Sequence, residues 1–120
     1  MNRQPSELER TVAAWRTKGL AWCECKLVSD QLDKDRESFL AAIIGDFRKF
    51  SPEDSEAKLK ADALASDLYR DYLRGMVLAA HKTAVARVEF DALKELFSAR
   101  QSDQSLLREQ LSKGVYYAGG

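Results

Sequence analysis

The feature that most constrains this chain is the scarcity of residues that end helices. From Glu53 to Lys113 there is no proline, and Gly75 is the only glycine. The whole chain has 2 prolines and 6 glycines, and two of these glycines are its last residues, Gly119 and Gly120. Because proline and glycine mark most turns, their scarcity predicts long helices, and no strand-like alternation of apolar and polar residues competes with that prediction.

Two start signals divide the chain into two helical stretches. Ser6 and Glu9 have the spacing of a capping box, in which each side chain bonds the other residue's backbone N–H. Ser51 and Pro52 predict a second start, with Ser51 as the cap and Pro52 at the first helical position. We therefore predict a single helical domain over 1–120, which is helical over 6–49, turns over 50–53, is helical again over 54–112 and has a flexible tail over 114–120.

Apolar residues recur at helical spacing along both stretches, and their positions predict which faces are buried. One stripe comprises Leu8, Val12, Trp15, Gly19 and Trp22, and another comprises Leu64, Leu68, Tyr72, Gly75 and Ala79. Helices as long as these stretches leave apolar surface that a lone pair does not cover. Either they bend back near Ser29, Gly75 or Ser102, or they pack against a second copy. We favour an all-α fold, a long antiparallel, coiled-coil-like helical hairpin or bundle that is completed as a homodimer.

Composition and charge exclude several classes of protein. Hydrophobic residues make up 45% of the chain and charged residues 32%, which is typical of folded domains. The 19 basic and 19 acidic residues cancel, so no bulk charge favours non-specific DNA binding or opposes self-association. No stretch is apolar enough to span a membrane. Since the chain has only two cysteines and opens without a targeting segment, we expect a protein of the reducing cytoplasm.

No arrangement of residues indicates catalysis, a metal site or a cofactor. His81 is the only histidine and lies mid-helix by pattern, without a motif that would place a nucleophile beside it. Cys23 and Cys25 leave one residue between them, whereas the cysteine pairs of zinc sites usually leave two to four. Acidic residues alternate with lysine and arginine on helix faces, which favours a solvated surface. We predict that the chain is not an enzyme and binds no cofactor or metal.

Two groups of residues are candidates for binding. Aromatic rings beside cations can stack on unpaired bases while the cations contact phosphates, and the residues with this pattern are Arg48, Lys49, Phe50, Tyr69, Arg70 and Arg74. Trp15 and Trp22 are seven residues apart on one helix face, as expected for a self-association or partner face. Both groups also fit ordinary amphipathic helices, with rings in the core and cations in water.

The second half of the chain resembles a known group of proteins. Residues 88–102, with Leu107-Arg108-Glu109 after them, are rich in Ala, Leu, Arg and Glu. Over residues 76–112 the chain is similar to small all-helical accessory proteins that phages and prophages encode in replication and recombination regions. The resemblance implies an accessory protein that acts by contact, and it carries over no functional position. The predicted function is therefore a non-enzymatic helical adaptor that binds another protein, and the alternative is a single-stranded nucleic-acid-binding accessory of replication or recombination.

Overall fold

The computed structural model describes residues 4–118 of the chain, and the side chains of residues 4–113. Three helices occupy this range: α1 (Glu7–Phe50), α2 (Glu56–Leu64) and α3 (Asp67–Ala118). No strand occurs within residues 4–118. The prediction of an all-α fold is confirmed.

Helix α1 begins where the capping box predicts. The backbone N–H of Glu9 donates to Ser6 Oγ at 3.1 Å, and the backbone N–H of Ser6 donates to the Glu9 carboxylate at 3.2 Å. Arg48 and Lys49 lie in its last turn, where cations complement the negative end of the helix dipole. The helix then runs for 44 residues, so the chain does not break at Ser29.

The predicted second start at Ser51 and Pro52 is wrong. The backbone N–H of Asp54 donates to the Ser51 carbonyl at 3.1 Å, which closes a turn that contains Pro52. Proline is as well suited to the second position of such a turn as to the first turn of a helix. Helix α2 starts instead after Ser55, whose side chain accepts a hydrogen bond from the Lys58 backbone N–H at 3.2 Å.

The predicted continuous helix over 54–112 is also wrong, because the chain breaks at Ala65 and Ser66. Ser66 Oγ donates to the Ala63 carbonyl at 2.6 Å and accepts from the Tyr69 backbone N–H at 3.3 Å. Serine side chains compete in this way with the hydrogen bonds of a helix. One serine therefore ends α2 and caps α3.

Helix α3 passes through the other candidate breaks. Gly75 and Ser102 are both helical, since an isolated glycine lowers helix stability by only about 1 kcal/mol relative to alanine. The predicted flexible tail over 114–120 needs correction as well: residues 114–118 belong to α3, because glycine at 114 adopts helical backbone angles as readily as those of a cap. Residues 119–120 lie outside the described residues.

The sequence predicts one helical domain, and the contacts of the chain fall into two compact units. In unit 1 (described over 4–22 and 86–118), Lys18 pairs with Glu89 at 2.9 Å and Glu7 pairs with Arg100 at 3.4 Å. The segments of α1 and α3 in this unit are therefore antiparallel.

Unit 2 comprises Cys23–Val85 and contains α2. The Tyr72 hydroxyl donates to the Leu32 carbonyl, and Arg36 Nε donates to the Tyr69 hydroxyl at 2.9 Å, so α1 and α3 are antiparallel here too. The buried core comprises Ile43, Ala63 and Tyr69, with Phe39, Leu40, Ile44, Phe47 and Leu73 packed around it. In both units the predicted helical hairpin is confirmed.

Candidate binding surfaces

The two tryptophans pack against phenylalanines of α3 within unit 1. The Trp15 ring stacks on Phe90 and Phe97 with ring centres 5.8 and 5.3 Å apart, and Trp22 stacks on Phe90 at 5.5 Å. The Arg87 guanidinium lies 5.7 Å from the centre of the Trp22 ring, a cation–π distance. Both tryptophans are half-buried. Their contacts hold α1 to α3, and a further role facing a partner stays a prediction.

Gly19 makes room for this aromatic cluster. A Cβ atom at this position would lie 3.0 Å from Phe90 Cε2, closer than such contacts normally come. Glycine therefore lets the Phe90 ring lie against the backbone of α1. The indole Nε1 of Trp15 is buried and has no hydrogen-bond partner among the described residues, so Trp15 contributes to the cluster through the packing of its ring.

The three arginines that the sequence singles out as phosphate contacts are all in ion pairs. Arg48 pairs with Glu56, Arg70 with Asp67 at 3.8 Å, and Arg74 with Asp71 at 3.7 Å. An acidic neighbour lowers the attraction of each of these arginines for phosphate. The three arginines are thus less available to nucleic acid than their spacing suggests.

The two aromatic candidates differ completely in exposure. Tyr69 is 3% exposed, so its prediction as a stacking face is wrong: the ring lies in the core of unit 2 and its hydroxyl bonds Arg36. That hydrogen bond raises the pKa of the Arg36 guanidinium. Phe50 is 86% exposed at the end of α1. Lys49, beside it, is in no ion pair within the described part of the chain.

The surroundings of Phe50 are partly acidic. A hollow of 310 Å³ beside the ring is lined by Phe47, Phe50 and Leu59 together with Asp54 and Asp62. Carboxylates at this position repel phosphate. Of the predicted nucleic-acid contacts, only Lys49 and Phe50 are both exposed and without an acidic partner.

Near the end of α3, every side chain is exposed up to Lys113, the last residue whose side chain the structure describes. Over residues 101–113, which we term the overhanging segment, Leu106, Leu107 and Leu111 are between 54% and 61% exposed. The first residue of α1, Glu7, pairs with Arg100, so the antiparallel contact with α1 stops where this segment starts. No described part of α1 lies alongside it. One feature of the sequence indicates this segment: the apolar pattern of α3 continues beyond the residues that can lie opposite α1.

A groove lies between α1 and α3 in unit 2. It measures 470 Å³ and is lined by Glu24, Cys25, Val28, Leu32, Gly75, Leu78, Ala79 and Lys82. We term it the unit 2 groove. Val28 and Leu78 are more than half exposed, and Gly75 presents only backbone. The sequence analysis missed this surface, although its residues recur at helical spacings of three and four on each helix.

The one histidine and the two cysteines of the chain are its candidates for metal binding or nucleophilic chemistry. No group of three His, Cys, Asp or Glu among them could hold a metal ion. His81 and Cys23 are exposed, Cys25 is half-buried, and both cysteines are free thiols. No helix in the described range is long and apolar enough to cross a membrane.

The described residues form a three-helix, all-α fold, and the overhanging segment and the unit 2 groove are among the apolar surfaces that it leaves exposed. No protein-family model matches the chain, and no curated protein or solved structure is detectably similar to it. Its function must therefore be inferred from the geometry of these surfaces.

Proposed function

We propose that this chain is a non-enzymatic, self-associating helical adaptor of the cytoplasm that binds another protein through helix-to-helix contacts. The observation that carries the proposal is the overhanging segment. Isolated helices of this length are marginally stable in water, and most helix stability in proteins comes from packing an apolar face. Three exposed leucines on a helix segment that has no neighbouring helix among the described residues are best explained by a partner that covers them.

The chemistry of the overhanging segment favours a protein partner. Leu107 and Leu111 are four residues apart and so lie on one helix face. The charged residues between 101 and 113 are Asp103, Arg108, Glu109 and Lys113, which cancel, so the segment has no net attraction for nucleic acid or for an anionic surface. An amphipathic helix or a helix pair with an apolar groove is the complementary shape. The resemblance of residues 76–112 to phage-encoded accessory proteins supports the same kind of action.

This proposal is tested by quantitative affinity capture from the native host, followed by mass spectrometry. Glutamine and leucine have similar helix propensities, so Leu107→Gln combined with Leu111→Gln removes the apolar face and keeps the helix. We expect this variant to recover its specific partner about tenfold less than wild type, as for the loss of an interface anchor. Far-ultraviolet circular dichroism should remain unchanged.

A matched control is available on α1. Leu20 and Leu27 are as exposed as the two leucines of the overhanging segment and lie outside it, so Leu20→Gln with Leu27→Gln should leave partner recovery at the wild-type level. Equal recovery by both double variants would contradict the role of the overhanging segment. Recovery of no specific partner by the wild type would contradict the adaptor function.

A second candidate function, single-stranded nucleic-acid binding, is favoured by one observation: Phe50 is 86% exposed beside Lys49, which is in no ion pair within the described residues. Because the neighbouring acids and the ion pairs of Arg48, Arg70 and Arg74 weaken this site, we expect no binding of a labelled single strand by fluorescence anisotropy at low salt. If wild type does bind, Arg48→Ala with Lys49→Ala should lower the salt slope of log affinity by roughly one per lost contact. Binding with such a lowered slope would place the nucleic-acid function ahead of the adaptor function.

A further inference from the structure

We infer that the unit 2 groove is the surface on which a second copy of this chain docks. The inference rests on the self-association in the proposed function and adds the surface and the contacts. It is carried by three features of the groove: its exposed apolar walls, its glycine floor and the opposite charges at one of its ends.

The walls of the groove remain apolar and open within the folded chain. Ala79 is buried between α1 and α3, whereas Val28 and Leu78 beside it are more than half exposed. Helix α2 contributes no residue to this groove. A single pair of helices buries one face of each, so these side chains are left open to contact with a second molecule.

The floor of the groove allows another helix to come close. Gly75 lies one turn from Ala79, and a Cβ atom added at Gly75 would meet nothing within 4 Å. The packing of the chain itself therefore does not require a glycine here, although glycine weakens the middle of a helix. Close approach by a second backbone is a physical reason for a small residue at this position.

The charges at the groove identify the second helix pair as another copy. Glu24 on α1 and Lys82 on α3 line the groove, and neither is in an ion pair within the described residues. The antiparallel register of unit 2, in which Leu32 lies opposite Tyr72, places Glu24 and Lys82 at the same height along the two helices. A two-fold axis along the groove brings each copy's Glu24 opposite the Lys82 of the other copy. Two-fold interfaces require such a self-complementary face, and a net charge of zero gives no repulsion between copies.

The two cysteines provide a direct test on the full chain. Cys25 lines the groove, and Cys23 is exposed and does not. We expect light scattering at about 100 µM, well above typical micromolar dissociation constants, to give twice the 13.5 kDa chain mass with disulfides reduced. A short pulse of iodoacetamide should modify Cys25 severalfold more slowly at this concentration than at high dilution. Cys23 should react at the same rate in both.

Two glycines provide a matched pair of variants. Gly75→Gln places a polar side chain in the groove, and Gly45→Gln adds the same side chain to unit 2 outside it. An added Cβ meets nothing within 4 Å at either position, so both variants should fold. We expect Gly45→Gln to dimerise like wild type and Gly75→Gln to be monomeric. Lys82→Glu should also weaken the dimer, and Lys82→Glu with Glu24→Lys should restore it.

The outcomes separate this inference from the proposed function. A wild-type monomer at about 100 µM would overturn both the docking surface and self-association. A dimer in which Cys25 reacts as fast as in the monomer, or one that survives Gly75→Gln, would overturn the groove alone and leave self-association through another face.

Discussion

Replacing Leu59 with alanine is expected to lower the free energy of unfolding by about 2–5 kcal/mol, the range for removing a buried leucine side chain. Leu59 is 2% exposed and lies on α2, a helix of 9 residues that is too short to be stable without packing. Its side chain and the buried Ala63 dock this helix in unit 2. Denaturant unfolding followed by far-ultraviolet circular dichroism measures the effect.

The control for this prediction is the other leucine of the same helix in the described structure. Leu64 is 46% exposed at the end of α2, so Leu64→Ala removes the same atoms with little loss of buried area and should cost under about 1 kcal/mol. Equal losses from the two variants would show that α2 does not depend on the burial of Leu59.

The start of α1 could be predicted from the sequence because its signal is local. Ser6 and Glu9 bond each other's backbone within one helical turn, so the residues that start the helix are neighbours in the sequence. The start of the second helix is ambiguous in the sequence because Ser51 and Ser55 are both potential N-terminal caps. Pro52, the residue that favoured Ser51, fits a turn equally well. Local signals thus predict that a helix begins in this region, and the choice between the two serines depends on how α2 packs.

The error at Ser66 explains the wrong assignment of Tyr69. An unbroken helix places Leu64, Leu68 and Tyr72 on one buried stripe. The break between α2 and α3 changes the phase, so Leu68 is largely exposed and Tyr69 is buried instead. A lone serine inside a helical pattern gives little warning of such a break, because serine is common in helices as well as at their caps.

The tryptophan face could be predicted in part. Trp15 and Trp22 were correctly placed on one face of a helix, and Phe90 and Phe97 have the same spacing of seven on α3. In an antiparallel pair of helices, aromatic residues with equal spacing on the two helices can stack on each other across the interface. This equal spacing is visible in the sequence. The unit 2 groove was not predictable in the same way, because its shape depends on the register between α1 and α3.

Replacing Phe90 with alanine is expected to lower the free energy of unfolding by about 2–4 kcal/mol, less than for a fully buried ring because Phe90 is half-buried. Its ring stacks on both Trp15 and Trp22, so the substitution removes two aromatic contacts between α1 and α3. Denaturant unfolding followed by tryptophan fluorescence measures the effect, since the only 2 tryptophans of the chain are both in this cluster. Phe50→Ala is the matched control: that ring is 86% exposed, and its loss should change stability by less than about 0.5 kcal/mol.

Gly19 distinguishes the loss of a specific contact from a general loss of apolar surface. In the wild-type chain, Gly19→Ala places a Cβ 3.0 Å from Phe90, and the ring cannot easily yield because it stacks on both tryptophans, so we expect destabilisation. With Phe90→Ala already present, the Cβ meets no ring, and Gly19→Ala should stabilise the helix by about 0.5–1 kcal/mol. The effect of Gly19→Ala on the free energy of unfolding should therefore change sign when Phe90 is replaced by alanine, as expected for residues in direct contact. Additive effects would mean that Phe90 does not pack against the backbone of α1 at Gly19.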